Sequence, residues 1–278
     1  MKDFANVPVR LSGPLIQAER VAESKNPFRA AASKGPDITG TPFANIRNVM
    51  KSIRAYAVHC LTASGVIPAS FAMNEIASAD CDPRIVFIYL LVATFIDTID
   101  GPLARLLHVK CYASAVDGRT IDDLLDYLTF AFIPLMLVWR MNWLPDGFEW
   151  TVSLAMAASL FGFAHRDAKD ETAGFFRGFP SYWNIFAFYA GILHVLSGPW
   201  PVAVLLWMLT VLTVLPVRFI YPNLAPHPWR TWLLLGAFVW TCFMVAMLGN
   251  YPYPPGILTL GSLVYPVVYV GASIRLTP

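Results

Sequence analysis

Ile85-Val-Phe-Ile-Tyr-Leu-Leu-Val-Ala-Thr-Phe-Ile-Asp97-Thr-Ile-Asp100-Gly-Pro-Leu-Ala104 decides the fold. The run is long enough to cross a bilayer as helix, which takes roughly 17 to 25 apolar residues. Two carboxylates nevertheless stand at one end of it, and charge at membrane depth is costly and marks function. Outward from this stretch the same pattern recurs. Apolar runs fall approximately at 55–76, 85–104, 120–139, 150–165, 182–197, 201–217, 231–248 and 257–274, the fourth and fifth being short. With 56% hydrophobic and only 14% charged residues, against about 25% charged in an ordinary soluble domain, the chain reads as an all-α, polytopic membrane helix bundle of about eight transmembrane helices. The connections are too short for a soluble catalytic domain, so any chemistry falls to the helices and their ends. Cys60, Cys81, Cys111 and Cys242 include no CxxC pair, which argues against a disulfide scaffold, a zinc knuckle or an iron–sulfur site.

Residues 1–42 form a basic tail with scattered Pro and Ser and no helical period, expected to be disordered and cytoplasmic. At 43–54 the pattern changes. Phe43, Ile46, Val49, Met50 and Ile53 take one helical face and Arg47, Lys51 and Arg54 another, as in an interfacial amphipathic helix in the headgroup layer; an ordinary helical extension of the first span reads the same residues equally well. Eight crossings with the tail inside place 18 of the 20 basic residues on the cytoplasmic side and leave only Arg84 and Arg140 outside, as the positive-inside rule requires. Both termini are then cytoplasmic, and the membrane domain spans 43–278.

The acidic residues are placed more tellingly still. Of eighteen, six (Asp97, Asp100, Asp117, Asp122, Asp123 and Asp126) lie within one thirty-residue stretch, and none follows Glu171. Asp97 and Asp100 are spaced i, i+3 at the inner end of the second span, and Asp122 and Asp126 are spaced i, i+4 at the start of the third, so each pair shares a helical face. On two antiparallel helices joined by a short loop, four carboxylates can converge. They would repel one another unless cations neutralised them, and all-oxygen ligands suit Mg²⁺ or Mn²⁺. A solvated acidic loop is the plainer reading, against which stand the apolar flanks Ile96, Ile99, Leu103, Leu124, Leu125 and Leu128. Gly101, Ala104 and Gly118 remove bulk beside the carboxylates, and Arg105 adds a forked donor suited to phosphate. The combination describes a site for a diphosphate attached to something lipid-soluble.

Asp97-Thr-Ile-Asp100-Gly101-Pro-Leu-Ala104-Arg105, then twelve residues, then Gly118-Arg-Thr-Ile-Asp122-Asp-Leu-Leu-Asp126 resembles the signature DxxDGxxAR…GxxxDxxxD of the CDP-alcohol phosphotransferase family at every fixed position. The spacer is longer than the usual pattern, and in this the chain is similar to the bacterial phosphatidylcholine synthase branch, which joins free choline to CDP-diacylglycerol. His59-Cys-Leu-Thr62-Ala-Ser-Gly65, Asp126-Tyr127-Leu-Thr129 and Gly178-Phe179-Pro180-Ser-Tyr-Trp183-Asn184 look like that branch too. The resemblance implies attack of an alcohol on the phosphorus joined to the lipid, with CMP leaving. It implies two metal ions held by Asp97, Asp100, Asp122 and Asp126, with Asp126 also the catalytic base, and a nucleotide and diphosphate lined by Gly101, Ala104, Arg105, Gly118 and Thr62. Asp123 points about 100° from Asp122 on a helix and reads as an outlying acid.

Choline carries a quaternary ammonium that donates no hydrogen bond, so its pocket calls for aromatic faces and a carboxylate. Tyr127, Phe179, Tyr182 and Trp183 are candidates, each of which could equally be an interfacial belt aromatic, and His59 is either a polar contact or a satisfied core residue. The partners this reading implies are CDP-diacylglycerol, choline and the lipid bilayer of a bacterial inner membrane, with no nucleic acid and with a homodimer left open. A sister enzyme using serine, inositol or glycerol phosphate would want a basic cluster, which Arg119, Arg166, Lys169 and Arg177 could supply. A cation transporter would use the acids as a path; transporters usually carry internal repeats, and none is visible here.

Overall fold

The computed structural model describes residues 42–165, 169–170 and 174–276. The basic tail expected over 1–42 lies outside these residues but for Pro42, as does Arg166. Contacts divide the chain into Met1–Lys51, of which only the helical residues 42–51 are described, and Ser52–Pro278, which holds the bundle.

The helices are α1 (Pro42–Ser64), α2 (Val66–Ala77), α3 (Pro83–Leu106), α4 (Val109–Tyr112), α5 (Gly118–Asp126), α6 (Ile133–Arg140), α7 (Thr151–Ala164), α8 (Trp183–Ser197), α9 (Pro199–Val214), α10 (Trp229–Leu248) and α11 (Gly256–Leu276). Among the described residues, four stretches are long and apolar enough to cross a membrane: Ile46–Ala77, Pro83–Leu106, Trp229–Leu248 and Gly256–Leu276. Three further apolar helices, α7, α8 and α9, are shorter. The protein is thus a mostly helical, polytopic membrane protein. Its outward residues fit that reading, since Phe238, Ile257, Val267 and Ile274 are all more than two-thirds exposed, a surface that lipid rather than water would solvate. α1 is helical from Pro42 without a break, so the segment expected to lie in the headgroup layer runs straight into the first span.

Local sequence explains the elements that position the site. At the start of α3, Pro83 takes a first-turn position where its missing N–H costs nothing, and Asp82 caps the helix by accepting from the Arg84 N–H. At the start of α5, Asp117 accepts from the Arg119 N–H at 3.1 Å and from the Thr120 hydroxyl at 3.0 Å. Between α5 and α6 the chain widens into a π-helical segment, Tyr127–Phe132. Pro134 has no N–H to offer the Phe130 carbonyl, and its ring would crowd that oxygen in an α-helix; the wider turn relieves both. The twelve-residue spacer holds the single turn α4 and loops on either side.

The core gathers Val86 and Phe87 of α3, Ile133, Leu135 and Leu137 of α6, Trp183, Phe186 and Phe188 of α8, Leu206 of α9 and Met247 of α10. One element departs from the all-α expectation. β1 (Lys169–Asp170), β2 (Phe175–Arg177) and β3 (Arg218–Ile220) form an antiparallel sheet in that order, with Phe175 opposite Ile220, Phe176 opposite Phe219 and Arg177 opposite Arg218. Strands of two and three residues are too short to show alternation, so they left no pattern to read in the sequence.

Candidate active site

Helices α3 and α5 deliver their carboxylates to one place. Asp97 of α3 and Asp122 and Asp126 of α5 each offer an oxygen within 4.8 Å of the others, and all three are half-buried. Asp100 lines the same cavity, one turn along α3. It is only 6% exposed. Thr62 and the Gly101 N–H lie against its carboxylate, yet Asp100 Oδ2 is buried without a hydrogen-bond partner, alone in this among the buried side-chain polar atoms of the described residues. A carboxylate oxygen left so is costly unless something else satisfies it. The cavity amounts to about 20 Å³, room for about one water molecule or ion, and its wall is completed by Thr62, Gly65, Ala93, Ile96, Leu125 and Thr129. Half-buried carboxylates around ion-sized space are the donor set that hard divalent cations take.

Gly65, Ala93 and Thr129 are the lining residues to which sequence reasoning gave no role. The signal was present, because Ala93, Asp97 and Asp100 fall at i, i+4 and i+7 on α3, and Asp122, Asp126 and Thr129 repeat that spacing across the end of α5. A Cβ on Gly65 would sit 3.2 Å from the Thr62 carbonyl and 3.5 Å from Leu125, so glycine there lets α1 and α5 close over the cavity.

No family model matches the chain, and no solved structure matches it. Curated proteins do. The phosphatidylcholine synthase of Pseudomonas aeruginosa is 36% identical over 170 residues, covering 61% of this chain and 69% of that protein. The chain belongs to the phosphatidylcholine synthase family. The phosphatidylcholine synthases of Mesorhizobium japonicum and Rhizobium meliloti are each 29% identical, over 88% of this chain and 90% of the relative in the first case and over 82% and 95% in the second.

In this member of the phosphatidylcholine synthase family, the residues expected around a nucleotide are spread over α1, the C-terminal end of α3 and the start of α5. Thr62 is in the cavity wall, Gly101 lies next to Asp100 on the same helix, and Arg105 is exposed. Ala104 packs with Leu103, Leu107 and Tyr112 against Ala55, Val58, Val109 and Ala113. Gly118 is small for a reason the sequence did not reveal: a Cβ there would stand 2.6 Å from His59 Cε1 and 2.9 Å from Nδ1. His59 is buried beneath the spacer, with Nε2 3.4 Å from the Ala113 carbonyl oxygen and its ring edge-on to Tyr56. It braces the approach to α5 and is not among the residues lining the aspartate cavity.

The aromatic candidates separate. Trp183 has no exposed surface, donates its indole N–H to the Ser159 hydroxyl at 2.7 Å, and packs edge-on against Phe179 and Phe186. This corrects its expected place in a choline pocket, since an interior indole offers no free face. Tyr127 donates to the Met156 carbonyl at 3.4 Å and meets Phe163 at right angles. Phe179 lines a separate cleft with Phe163, Phe176, Arg119, Arg177 and Asp123, where Arg119 and Asp123 are 3.7 Å apart. Tyr182 meets Phe130 edge-on at 6.2 Å between ring centroids.

Proposed function

We infer that this protein transfers the phosphatidyl group of CDP-diacylglycerol to choline and releases CMP, as a CDP-diacylglycerol–choline phosphatidyltransferase. The observation that carries the reading is the convergence of Asp97, Asp122 and Asp126 on one ion-sized cavity, in a chain whose relatives are phosphatidylcholine synthases. Mg²⁺ or Mn²⁺ is the cofactor we propose, held by Asp97, Asp122 and Asp126 with Asp100 as the remaining donor; the family resemblance implies two ions, of which the cavity itself has room for about one. When bound, the cations would draw charge from the diphosphate and from the departing CMP, as in other phosphoryl transfers.

The chain's own groups supply the rest. Asp126 is the base, taking the proton from the choline hydroxyl as its oxygen attacks the phosphorus joined to diacylglycerol; that P–O bond forms while the bond to the CMP oxygen breaks. A base is needed because the hydroxyl is scarcely ionised at neutral pH. Gly101, Ala104, Arg105, Gly118 and Thr62 lie along the path of the nucleotide and diphosphate, where Arg105 is the forked cation for a phosphate oxygen.

Eight crossings are proposed for the bundle, formed by α1 with α2, α3, α5 with α6, and each of α7 to α11. Support comes from the basic residues, since eight crossings put 18 of 20 on one side, and on this reading both termini and the active site face the cytoplasm at the inner membrane. A reporter fused after Pro278 should be active only in a cytoplasmic form, and a periplasmic signal would overturn this topology.

The function is tested by adding choline, serine, inositol or glycerol phosphate to membranes holding the protein and CDP-diacylglycerol. CMP release is expected with choline. Serine, inositol or glycerol phosphate outcompeting choline would refute the acceptor, and choline-independent cation flux in vesicles without CMP release would refute the enzyme.

A further inference from the structure

Helix α5 is a wall of two cavities. Asp122 and Asp126 line the one already described, whereas Arg119 and Asp123, the latter about 100° round the helix from Asp122, line a cleft with Phe163, Phe176, Arg177 and Phe179. The two cavities share no lining residue. The cleft holds about 50 Å³, space for roughly four waters, which a phosphate group would fill. Its three Phe rings are half-buried and its two arginines exposed, so an apolar floor opens at a cationic mouth.

The turn that carries Arg177 and Phe179 is fixed by the chain itself. Between them Gly178 has φ +79°, and a Cβ there would run into the Thr213 carbonyl oxygen. The Gly178 N–H donates to the Val217 carbonyl at 2.6 Å and the Phe179 N–H to the Leu212 carbonyl at 3.0 Å. Ser181, at φ +56°, closes the turn by donating its hydroxyl to that of Ser159 at 3.2 Å. Such a left-handed conformation in a residue with a Cβ persists where the surroundings impose it.

Charge decides what the cleft can hold. Arg119 and Asp123 are 3.7 Å apart and partly offset each other, but Arg177 has no carboxylate partner among the described residues. Arg218 stands directly opposite Arg177 in the strand register, which brings another guanidinium to the same face of the sheet, where like charges repel. Such a cleft disfavours a quaternary ammonium, although rings alone would suit one. An anion lowers the repulsion, and two forked donors fit a phosphate. The surroundings point to a lipid as its carrier. Phe161 precedes Gly162 of the cleft wall, and Val214 follows Thr213, whose methyl group would meet a Gly162 Cβ at 3.6 Å. Both side chains are mostly exposed, as is apolar surface that acyl chains solvate. We propose that this cleft binds the phosphodiester of an anionic phospholipid, with its phosphate on Arg177 and Arg119 and its glycerol backbone over Phe163, Phe176 and Phe179. This lipid is a second one, bound apart from the aspartate cavity.

The test titrates the full chain in neutral detergent with dioleoylphosphatidylglycerol, dioleoylphosphatidylcholine or glycerol phosphate, counting bound molecules by native mass spectrometry and following Tm. Phosphatidylglycerol should bind and raise the Tm, with saturating CDP-diacylglycerol present as well as without it. Arg177→Gln should weaken that binding roughly 5- to 30-fold, and Arg177→Lys, which keeps the charge but not the fork, should fall between. Arg119→Gln, on a different element, should weaken it too, so the result does not hang on one variant folding. In detergent free of phosphatidylglycerol, the KM values of Arg177→Gln for choline and CDP-diacylglycerol should stay within about twofold of the parent. Displacement of phosphatidylglycerol by CDP-diacylglycerol, phosphatidylcholine bound as tightly as phosphatidylglycerol, or undiminished binding in both Gln variants would overturn the proposal. So would Arg177-dependent binding of glycerol phosphate without binding of the lipid, which would make the cleft a site for free phosphate esters. A raised choline KM in Arg177→Gln would likewise overturn it and return the cleft to the acceptor.

Discussion

Replacing Gly118 with alanine puts the local architecture of the site to a quantitative test. The new Cβ would meet His59 Cε1 at 2.6 Å where ordinary contact begins at 3.4 Å, so something must give by about 0.8 Å. The ring has little freedom to do so, being buried with Nε2 at 3.4 Å from the Ala113 carbonyl oxygen. Overpacking of this kind costs roughly 1 to 3 kcal/mol. If the strain is relieved by moving the first turn of α5, it displaces Asp122 and Asp126, and a misplacement near 1 Å at reacting groups is worth on the order of 10²-fold in rate. Gly118→Ala should therefore lose about 10- to 100-fold in CMP release, and the His59→Ala/Gly118→Ala double variant should recover most of that loss because the obstructing ring is gone. The assay is CMP release under saturating choline and CDP-diacylglycerol, with thermal stability of both proteins measured in the same detergent. An active, stable Gly118→Ala protein would refute the packing argument. So would a double variant no better than the single one with a raised CDP-diacylglycerol KM, a result that would return Gly118 to the nucleotide.

Three further outcomes are expected. Asp126→Asn should lose turnover by roughly 10² to 10⁴-fold while keeping much of its Mn²⁺ and CDP-diacylglycerol binding, whereas Asp100→Asn should weaken both kinds of binding; calorimetric titration beside the CMP assay separates them, and near-normal turnover in both proteins would end the carboxylate mechanism. Trp183→Ala should cost about 3 to 5 kcal/mol of stability through the cavity it leaves in the core, seen as a lowered Tm, and any choline-specific rise in KM without that loss would contradict its interior role. At the α5 cap, the Thr120 hydroxyl and the Arg119 N–H hold the Asp117 carboxyl below its ordinary value. A lowered folded value means the cap contributes fully above the unfolded pKa of about 3.9 and is lost as pH falls through the lowered one. Amide exchange at the start of α5 should then be insensitive to pH in this respect near neutrality and faster than in Asp117→Asn only below about pH 4; equal cap weakening at pH 7 would refute the assignment.

What the sequence determined by itself is whatever is written in one dimension. The length of apolar runs and the i, i+3 and i, i+4 spacing of Asp97, Asp100, Asp122 and Asp126 are local properties of a helix, so the membrane class and the aspartate cluster were legible from residue order. Ala93 and Thr129 share that spacing and were missed all the same, and Gly65, between α1 and α2, shares none of it. The three-stranded sheet was not, because its strands are shorter than any hydrophobic period. Nor could spacing show that Gly118 makes way for His59, since the contact joins α1 to α5 across 59 residues. Among a chain's many aromatics, only the packing of helices decides which face each ring shows, and it sent Trp183 into the core beside Ser159. Sequence sets what each helix can do, whereas contact between faces of distant helices sets which side chains share a site.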